Sequence, residues 1–349
     1  MKGIVVVLYI CVVARVSGEY VLNAAWPLSK EGLFEQVSWL AVHPETRYVY
    51  VVNRGYPFVQ VFSPGGKRLF NWTTTEYGLP HSLEFRPLKL GTSAWVTDFA
   101  PPQSAGGQSY GHCVREYTVL GTPTGMAIGV CGENTAGSGL DPLQFDKVTD
   151  IAWDSTGSIY VADGDVGGLN NRVVKLAATN LVLINTLGGV EPGDGPLQFN
   201  NPHQITVDFC NRLWIADADN SRVQIADSEG ALLGMLDCYE AGGAVDGIAL
   251  SRPFDHAGGF VRSRLVVAYT KPDRSGGKLY VYEANMDNCG GSKITTTACE
   301  APLQVVDVPL PANTDGPLAH SLAIDPLTTD LYLSRLLPGV PPLKYEWIH

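Results

Sequence analysis

Residues 199–230, FNNPHQITVDFCNRLWIADADNSRVQIADSEG, alternate apolar and polar positions in three short runs, 204–207, 213–216 and 223–226. Asp, Asn and Gly separate the runs, so the segment reads as an antiparallel meander. A sheet this small cannot bury its own faces and must be one of several stacked copies. The same phase returns in VSWLAVHPETRYVYVVNRG from Val37, HSLEFRPLKLGTSAWVTD from His81 and VTDIAWDSTGSIYVADGD from Val148. Two looser copies begin at Asp246 and His320. Aligned on the residue that opens the first strand, the six copies start at Ser38, His81, Thr149, His203, Asp246 and His320, between 43 and 74 residues apart. Six four-stranded sheets set radially make an all-β, six-bladed β-propeller. The expected organisation is a leader at residues 1–18 and a single propeller over residues 19–349.

Residues 20–25 lie ahead of the first copy and alternate like a strand, whereas the last copy has room for about three strands before His349. The early strand is therefore expected to supply the missing outer strand of the last blade and close the ring.

The first eighteen residues, MKGIVVVLYICVVARVSG, combine an early Lys, an apolar run from Ile4 to Val13 and small residues at Ser17 and Gly18. This is the pattern of a cleaved secretory leader. Arg15 stops the apolar run at about half the ~20 residues a spanning helix needs, and no other segment is long enough. The chain carries 24 basic and 35 acidic residues, a net charge of −11, which argues against a nucleic-acid surface. A monomeric protein of the extracellular space, a secretory granule or the lysosomal lumen is expected.

Secretion gives the cysteines a meaning. Six remain after the leader, and six allow 15 connectivities. Cys113 and Cys131 flank two runs symmetrically about the turn GTPTG and are expected to pair across a hairpin. Cys289 and Cys299 close a short polar loop, which leaves Cys210 with Cys238. No CxxC pair exists, so the cysteines do not read as zinc ligands. Asn71, in Asn71-Trp72-Thr73, is an N-glycan acceptor on the same premise.

Three histidines open copies two, four and six: His81 in LPHSL, His203 in NPHQI and His320 in LAHSL. Inner strands line the channel of a propeller, so residues of one phase sit at one height along it. Three imidazoles in alternate blades then face the axis with near-threefold symmetry, a donor set suited to zinc with a fourth position open. Neutral imidazole is the ligand, so binding should fail once the pH falls well below ~6.5. Asp98, Asp163 and Asp217 end second strands and read as turn caps, and Arg54 is read at the same strand end in copy one, as a cation facing the channel. The loop at residues 164–172, GDVGGLNNR, reads as a turn at the channel mouth. No GxSxG, HExxH, P-loop or dinucleotide fingerprint is present.

The units VTDIAWDSTGSIYVADG and HQITVDFCNRLWIADADNSRVQI resemble NHL repeats. With LDPLQFD and GDVGGLNNRVVKL, the chain resembles the secreted NHL-repeat propellers over nearly its whole mature length. More distantly it resembles the peptidyl-α-hydroxyglycine α-amidating lyase family, in which three histidines hold a catalytic zinc. That resemblance implies a zinc site at His81, His203 and His320 and an active-site role for Arg54. The family's catalytic Tyr falls on the Asp165 region, its second active-site Arg on Ala218, and its calcium-binding Asp on Ser321, which leaves calcium unsupported here.

Two functional classes follow. One is a metal-stabilised secreted propeller that binds an extracellular protein or peptide. The other is a zinc-dependent lyase, acting on a peptidyl-α-hydroxyglycine or a related small substrate with Arg54 as a catalytic group. Loss of the Tyr and the second Arg favours the first.

Overall fold

A computed structural model describes residues 18–28, 34–74, 77–88, 91–98, 111–131, 141, 143–256, 259–287, 289, 302–309 and 319–349. Residues 1–17, which hold most of the expected leader, and Cys299 lie outside this range. Short apolar-rich runs of three to eleven residues broken by turn formers give strands almost throughout. The described chain has six small antiparallel sheets set around an axis as a six-bladed β-propeller. In each of the first five blades the strands are laid down from the axis outwards in chain order.

The inner strands are Val37–Val42, Pro80–Leu88, Val148–Trp153, Pro202–Val207, Ala244–Leu250 and Leu322–Ile324. Their partners are the second strands Val49–Asn53, Gly91–Asp98, Ile159–Asp163, Leu213–Asp217, Phe260–Thr270 and Leu331–Leu333. The core is divided into six wedges, one at each junction between neighbouring blades. Second strands supply the large fillers of most wedges. Tyr50, Trp95, Tyr160, Trp214 and Tyr332 are all buried, each bringing the area that makes aromatic residues dominate core energetics.

Blade six is completed by the first strand. Glu19–Leu22 runs antiparallel to Leu343–Ile348, in register from Glu19 opposite Ile348 to Leu22 opposite Tyr345. Tyr20 fastens this closure. Its backbone N–H donates to Gln304 Oε1 at 2.8 Å and its carbonyl accepts from Gln304 Nε2 at 3.0 Å. Its hydroxyl donates to the Thr329 carbonyl, and its ring packs edge-on against Trp347 at 4.9 Å. The strand ends at Leu22, short of Ala25, because Asn23 turns the chain: Trp26 N–H donates to Asn23 O and Ala25 N–H to Asn23 Oδ1.

Cys113 and Cys131 are bonded, with Cα atoms 5.1 Å apart. The other two expected pairings are corrected. Cys210 is bonded to Cys289, Cα–Cα 4.8 Å, and Cys238 is in a disulfide as well, so neither Cys210–Cys238 nor Cys289–Cys299 forms. The reason is the ring geometry. The turn after the inner strand of blade four meets the far end of the third strand of blade five, where Arg212 Nη2 donates to Asn285 O at 2.9 Å. Two turns on the shared rim of neighbouring blades thus bring cysteines 79 residues apart into one bond. Among the described residues no helix is long and apolar enough to cross a membrane.

Closure through Tyr20 predicts that Tyr20→Ala lowers stability by about 3 kcal/mol, the usual cost of deleting a buried aromatic ring. Denaturant unfolding measures it, and an unchanged midpoint would show that the strand does not bear on ring stability.

Candidate metal centre

Five inner strands are irregular at the same point. The register breaks between Val37 and Trp39, Pro80 and Leu83, Val148 and Asp150, Pro202 and Ile205, and Val245 and Gly247. A bulge bends a strand and re-aims one side chain. The residues at these breaks are the repeat starts: Ser38, His81, Thr149, His203 and Asp246. His320 stands just ahead of its inner strand.

A belt of hydrogen bonds ties these residues from blade to blade. Ser38 Oγ donates to Pro80 O at 3.2 Å and Thr149 Oγ1 to Pro202 O at 2.7 Å. The imidazoles bond to the intervening blades: His81 Nδ1 to Thr149 O at 2.8 Å, His203 Nδ1 to Asp246 O at 2.7 Å and His320 Nδ1 to Ser38 O at 2.8 Å. A carbonyl oxygen only accepts, so each Nδ1 carries the proton and each Nε2 carries a lone pair. Second-shell carbonyls of this kind fix the tautomer of metal-ligating histidines.

One ring nitrogen of each histidine lies within 4.8 Å of the other two, and the ring centroids are 4.6–5.4 Å apart. All three are buried. Burial, the neighbouring imidazoles and Arg54 hold His81 and His320 well below the ordinary histidine pKa, and burial lowers His203 too. Three neutral acceptors converging without charge are a donor set that a borderline divalent cation such as zinc satisfies. The residues present therefore fit a metal ion.

Arg54 lies one position later than expected. Strand register places Asn53, opposite Val37, where Asp98, Asp163 and Asp217 stand opposite Pro80, Val148 and Pro202. Those aspartates are local fasteners. Asp98 accepts from Gly78 and Leu79 N–H, Asp163 from Asp146 N–H and Arg172 Nε, and Asp217 from Asn200 N–H and Arg222 Nε. Arg54, the first residue after the strand, lines a cavity of about 480 Å³ with His203 and His320. Asp165, Lys271 and Arg274 also line it, the last two from a blade-five turn that the sequence reading did not single out. Ser321 shares a hydrogen bond of 2.8 Å with Ser334 inside blade six.

The opposite side of the histidine layer is plugged. The Trp39 ring packs against His81 and His203 at 5.5 and 5.9 Å and donates from Nε1 to Glu84 Oε1 at 3.0 Å. Gln204 spans the channel, donating to Leu322 O and accepting from Ile248 and Leu322 N–H. Asp150 accepts from Ile151 and Ile205 N–H. Beyond the plug a second cavity, about 320 Å³, opens to the other face, lined by apolar side chains with Glu84, Gln204 and Thr206 among them. Glu84 is part-exposed to this cavity yet walled in by protein. Burial pushes its carboxyl up to about 8, and burial with the Glu84 charge raises Asp150 well above the usual range. Asp150 and Glu84 are not singled out by the sequence. On an inner strand those positions face the channel instead of bulk water.

No family model matches the chain. It is 39% identical over 222 residues to NHL repeat-containing protein 3 of Mus musculus, covering 62% of this chain and 60% of that protein. The chain resembles NHL repeat-containing protein 3. The matched stretch thus spans about three-fifths of the relative's length, less than the near-complete mature chain expected from the motifs. A shorter match, 33% over 87 residues, covers 25% of this chain and 24% of a protein of Caenorhabditis elegans named as a probable peptidyl-alpha-hydroxyglycine alpha-amidating lyase. A solved luciferin-regenerating enzyme superposes with a TM-score of 0.56 at 13% identity, over 95% of this chain and 96% of that one. The likeness to that structure is one of fold.

The buried carboxyls set a pH dependence. An unfolded Glu releases its proton near pH 4.3, whereas folded Glu84 keeps it to about 8. Between these values the folded state holds the extra proton, so its stability falls as pH rises. Glu84→Gln should flatten this slope and gain at least about 1 kcal/mol over the parent above pH 8, with little difference near pH 4. Equal slopes in urea titrations across that range would show that Glu84 is not the group responsible.

Proposed function

We propose that this chain is a secreted propeller that holds one zinc ion on His81, His203 and His320 and binds a small or peptide ligand over the same face. The observation that carries this reading is the convergence of three Nε2 lone pairs, each fixed by an Nδ1–H bond to the next blade. Zinc bound there would act as a Lewis acid toward an oxygen brought to its open position. Arg54, at the wall of the same cavity, is the cation that would meet a carboxylate. The even set of six cysteines outside the leader supports an oxidising, extracellular or granule compartment. Glycosylation at Asn71 belongs to the same reading. The net charge of −11 supports a partner other than nucleic acid.

A second reading, a zinc-dependent peptidyl-α-hydroxyglycine lyase or an enzyme of a related small substrate, is supported by the short match to the amidating-lyase relative. Against efficient lyase chemistry stand Asp165 and Ala218, where that family is expected to carry its Tyr and second Arg. A lyase needs groups that move the substrate proton and hold its carboxylate, and Arg54 covers only part of that work. The ligand-binding reading is therefore preferred.

Elemental mass spectrometry of the protein from a eukaryotic secretion host should find about one zinc per chain, lost in His81→Ala/His203→Ala/His320→Ala. A folded parent without metal at neutral pH would overturn the site. Because the folded imidazoles are held below the ordinary pKa of about 6.5, they stay neutral as pH drops through that value, so zinc should persist at pH 6 and leave only in stronger acid. In the metal-free protein the same shift costs stability as pH falls, since the unfolded chain takes protons that the folded one refuses. Zinc-dependent glyoxylate release from a peptidyl-α-hydroxyglycine, abolished by His81→Ala, would decide for the lyase.

A further inference from the structure

The loop after the second strand of blade three folds back over the histidine layer. Gly164 has φ +137°, and a Cβ there would fall 1.8 Å from Asn170 O. A Cβ on Gly168 would fall 2.8 Å from Asp165 O. Only glycine permits both close approaches. The loop is pinned at each side. Gly164 and Asp165 N–H both donate to Lys147 O, Lys147 Nζ donates to Val166 O at 2.6 Å, and Leu169 N–H donates to Asp146 Oδ2 at 2.6 Å. Asn170 Nδ2 donates to Asp163 Oδ2 at 2.8 Å. What the sequence suggested as a simple turn is a fastened strap whose one inward-facing acid is Asp165.

The Asp165 carboxylate is held by one oxygen and offered by the other. Oδ1 accepts from Val166 N–H at 2.7 Å. Oδ2 stands 3.9 Å from His81 Nε2, with the side chain only 13% exposed. Ligands at 2.0–2.2 Å from a tetrahedral zinc lie about 3.4 Å from one another, so Oδ2 is about half an ångström from a ligand edge with His81. An acceptor nitrogen and a carboxylate oxygen this close attract a common cation. Three neutral imidazoles leave a divalent ion with its full charge beside the Arg54 guanidinium, in a buried place where unbalanced charge is costly. An anion carried by the protein offsets both.

We infer that Asp165 is a fourth, displaceable ligand that closes the three-histidine centre from the mouth of the channel. This rests on the zinc-site reading above and deepens it. Sites filled by four protein ligands are structural, whereas catalytic sites keep one position open. A ligand entering the cavity must therefore displace Asp165, and it does so best as an anion that takes over the charge facing Arg54. The centre is a gated anion-binding site.

The test uses the full mature protein loaded with cobalt(II), whose visible bands report coordination, with azide as the probe anion. Asp165→Ala and the near-isosteric Asp165→Asn are compared with the parent and with His203→Ala, and melting of the metal-free proteins checks folding. The parent spectrum should resist azide, while both Asp165 variants should show a saturable azide-dependent change. Both should bind zinc at least about tenfold more weakly in chelator competition, given that even outer-shell changes cost 10–100-fold. Equal azide response and equal zinc affinity in parent and Asp165 variants would overturn the fourth-ligand assignment and leave the three-histidine site standing. Failure of the folded parent to bind cobalt or zinc, as in His203→Ala, would instead overturn the site itself.

Discussion

The candidate site depends on one backbone irregularity repeated around the ring. A regular strand entering beside the axis would point alternate side chains into the blade interfaces on either side. The bulge at five of the six repeat starts breaks that alternation, and in blade six His320 stands just ahead of its strand, so each blade leaves one residue at the height of the belt. Three of those residues are histidines, and the carbonyls of the other three hold them. Histidines without the carbonyls would be free to choose tautomers, and without His203 the Asp246 carbonyl would lose its imidazole donor, whereas Thr149 O and Ser38 O also accept from Thr97 and Ser334 hydroxyls. The alternation of His with Ser38, Thr149 and Asp246 is thus a single hydrogen-bonded unit in which backbone satisfaction and metal-ligand orientation are one requirement.

This unit also makes the two ends of the channel unlike. Trp39, Gln204 and the Glu84–Asp150 pair fill the layer next to the histidines, so a ligand can approach the lone pairs from one side only. That side carries ionisable groups of both signs, Arg54, Lys271 and Arg274 with Asp165 and Asp219, beside Asp246, whose carboxyl burial raises. At the other end burial pushes the Glu84 carboxyl up to about 8 and raises that of Asp150. A polar, ionic mouth and a neutral back wall are what a buried cation site needs, because charge facing it from behind would compete with the entering ligand.

The fold was legible because period-two alternation and turn residues are local signals, and because the phase of the repeats survives large changes in loop length. The histidine layer was legible for the same reason, since aligned repeat starts share a height whatever the bulge does to their direction. What was lost depended on distances around the ring. The Cys210–Cys289 bond joins a blade-four turn to the end of a blade-five strand across 79 residues, and sequence proximity pointed elsewhere. Arg54 was set one residue early because the strand-end Asp of other blades matches Asn53, and only the register separates the two. Nothing in the alternation around Glu84 and Asp150 marks them out, because alternation distinguishes two faces of a strand without saying that one of them lines a closed channel.

The same reasoning bears on what kind of protein this is. Besides one another, the charged side chains that act on the three imidazoles are Arg54, from the loop that follows a second strand, and Asp165, on a strap that glycines alone allow. The equivalent place in blade four is Ala218, a buried residue in a 3-10 turn that has no charge to offer. The metal-facing wall therefore presents one fixed cation and one carboxylate of opposite sign, already close enough to influence each other, since the Asp165 charge raises the guanidinium's hold on its proton against burial. A site that is electrostatically complete before any ligand arrives is built to be occupied or displaced.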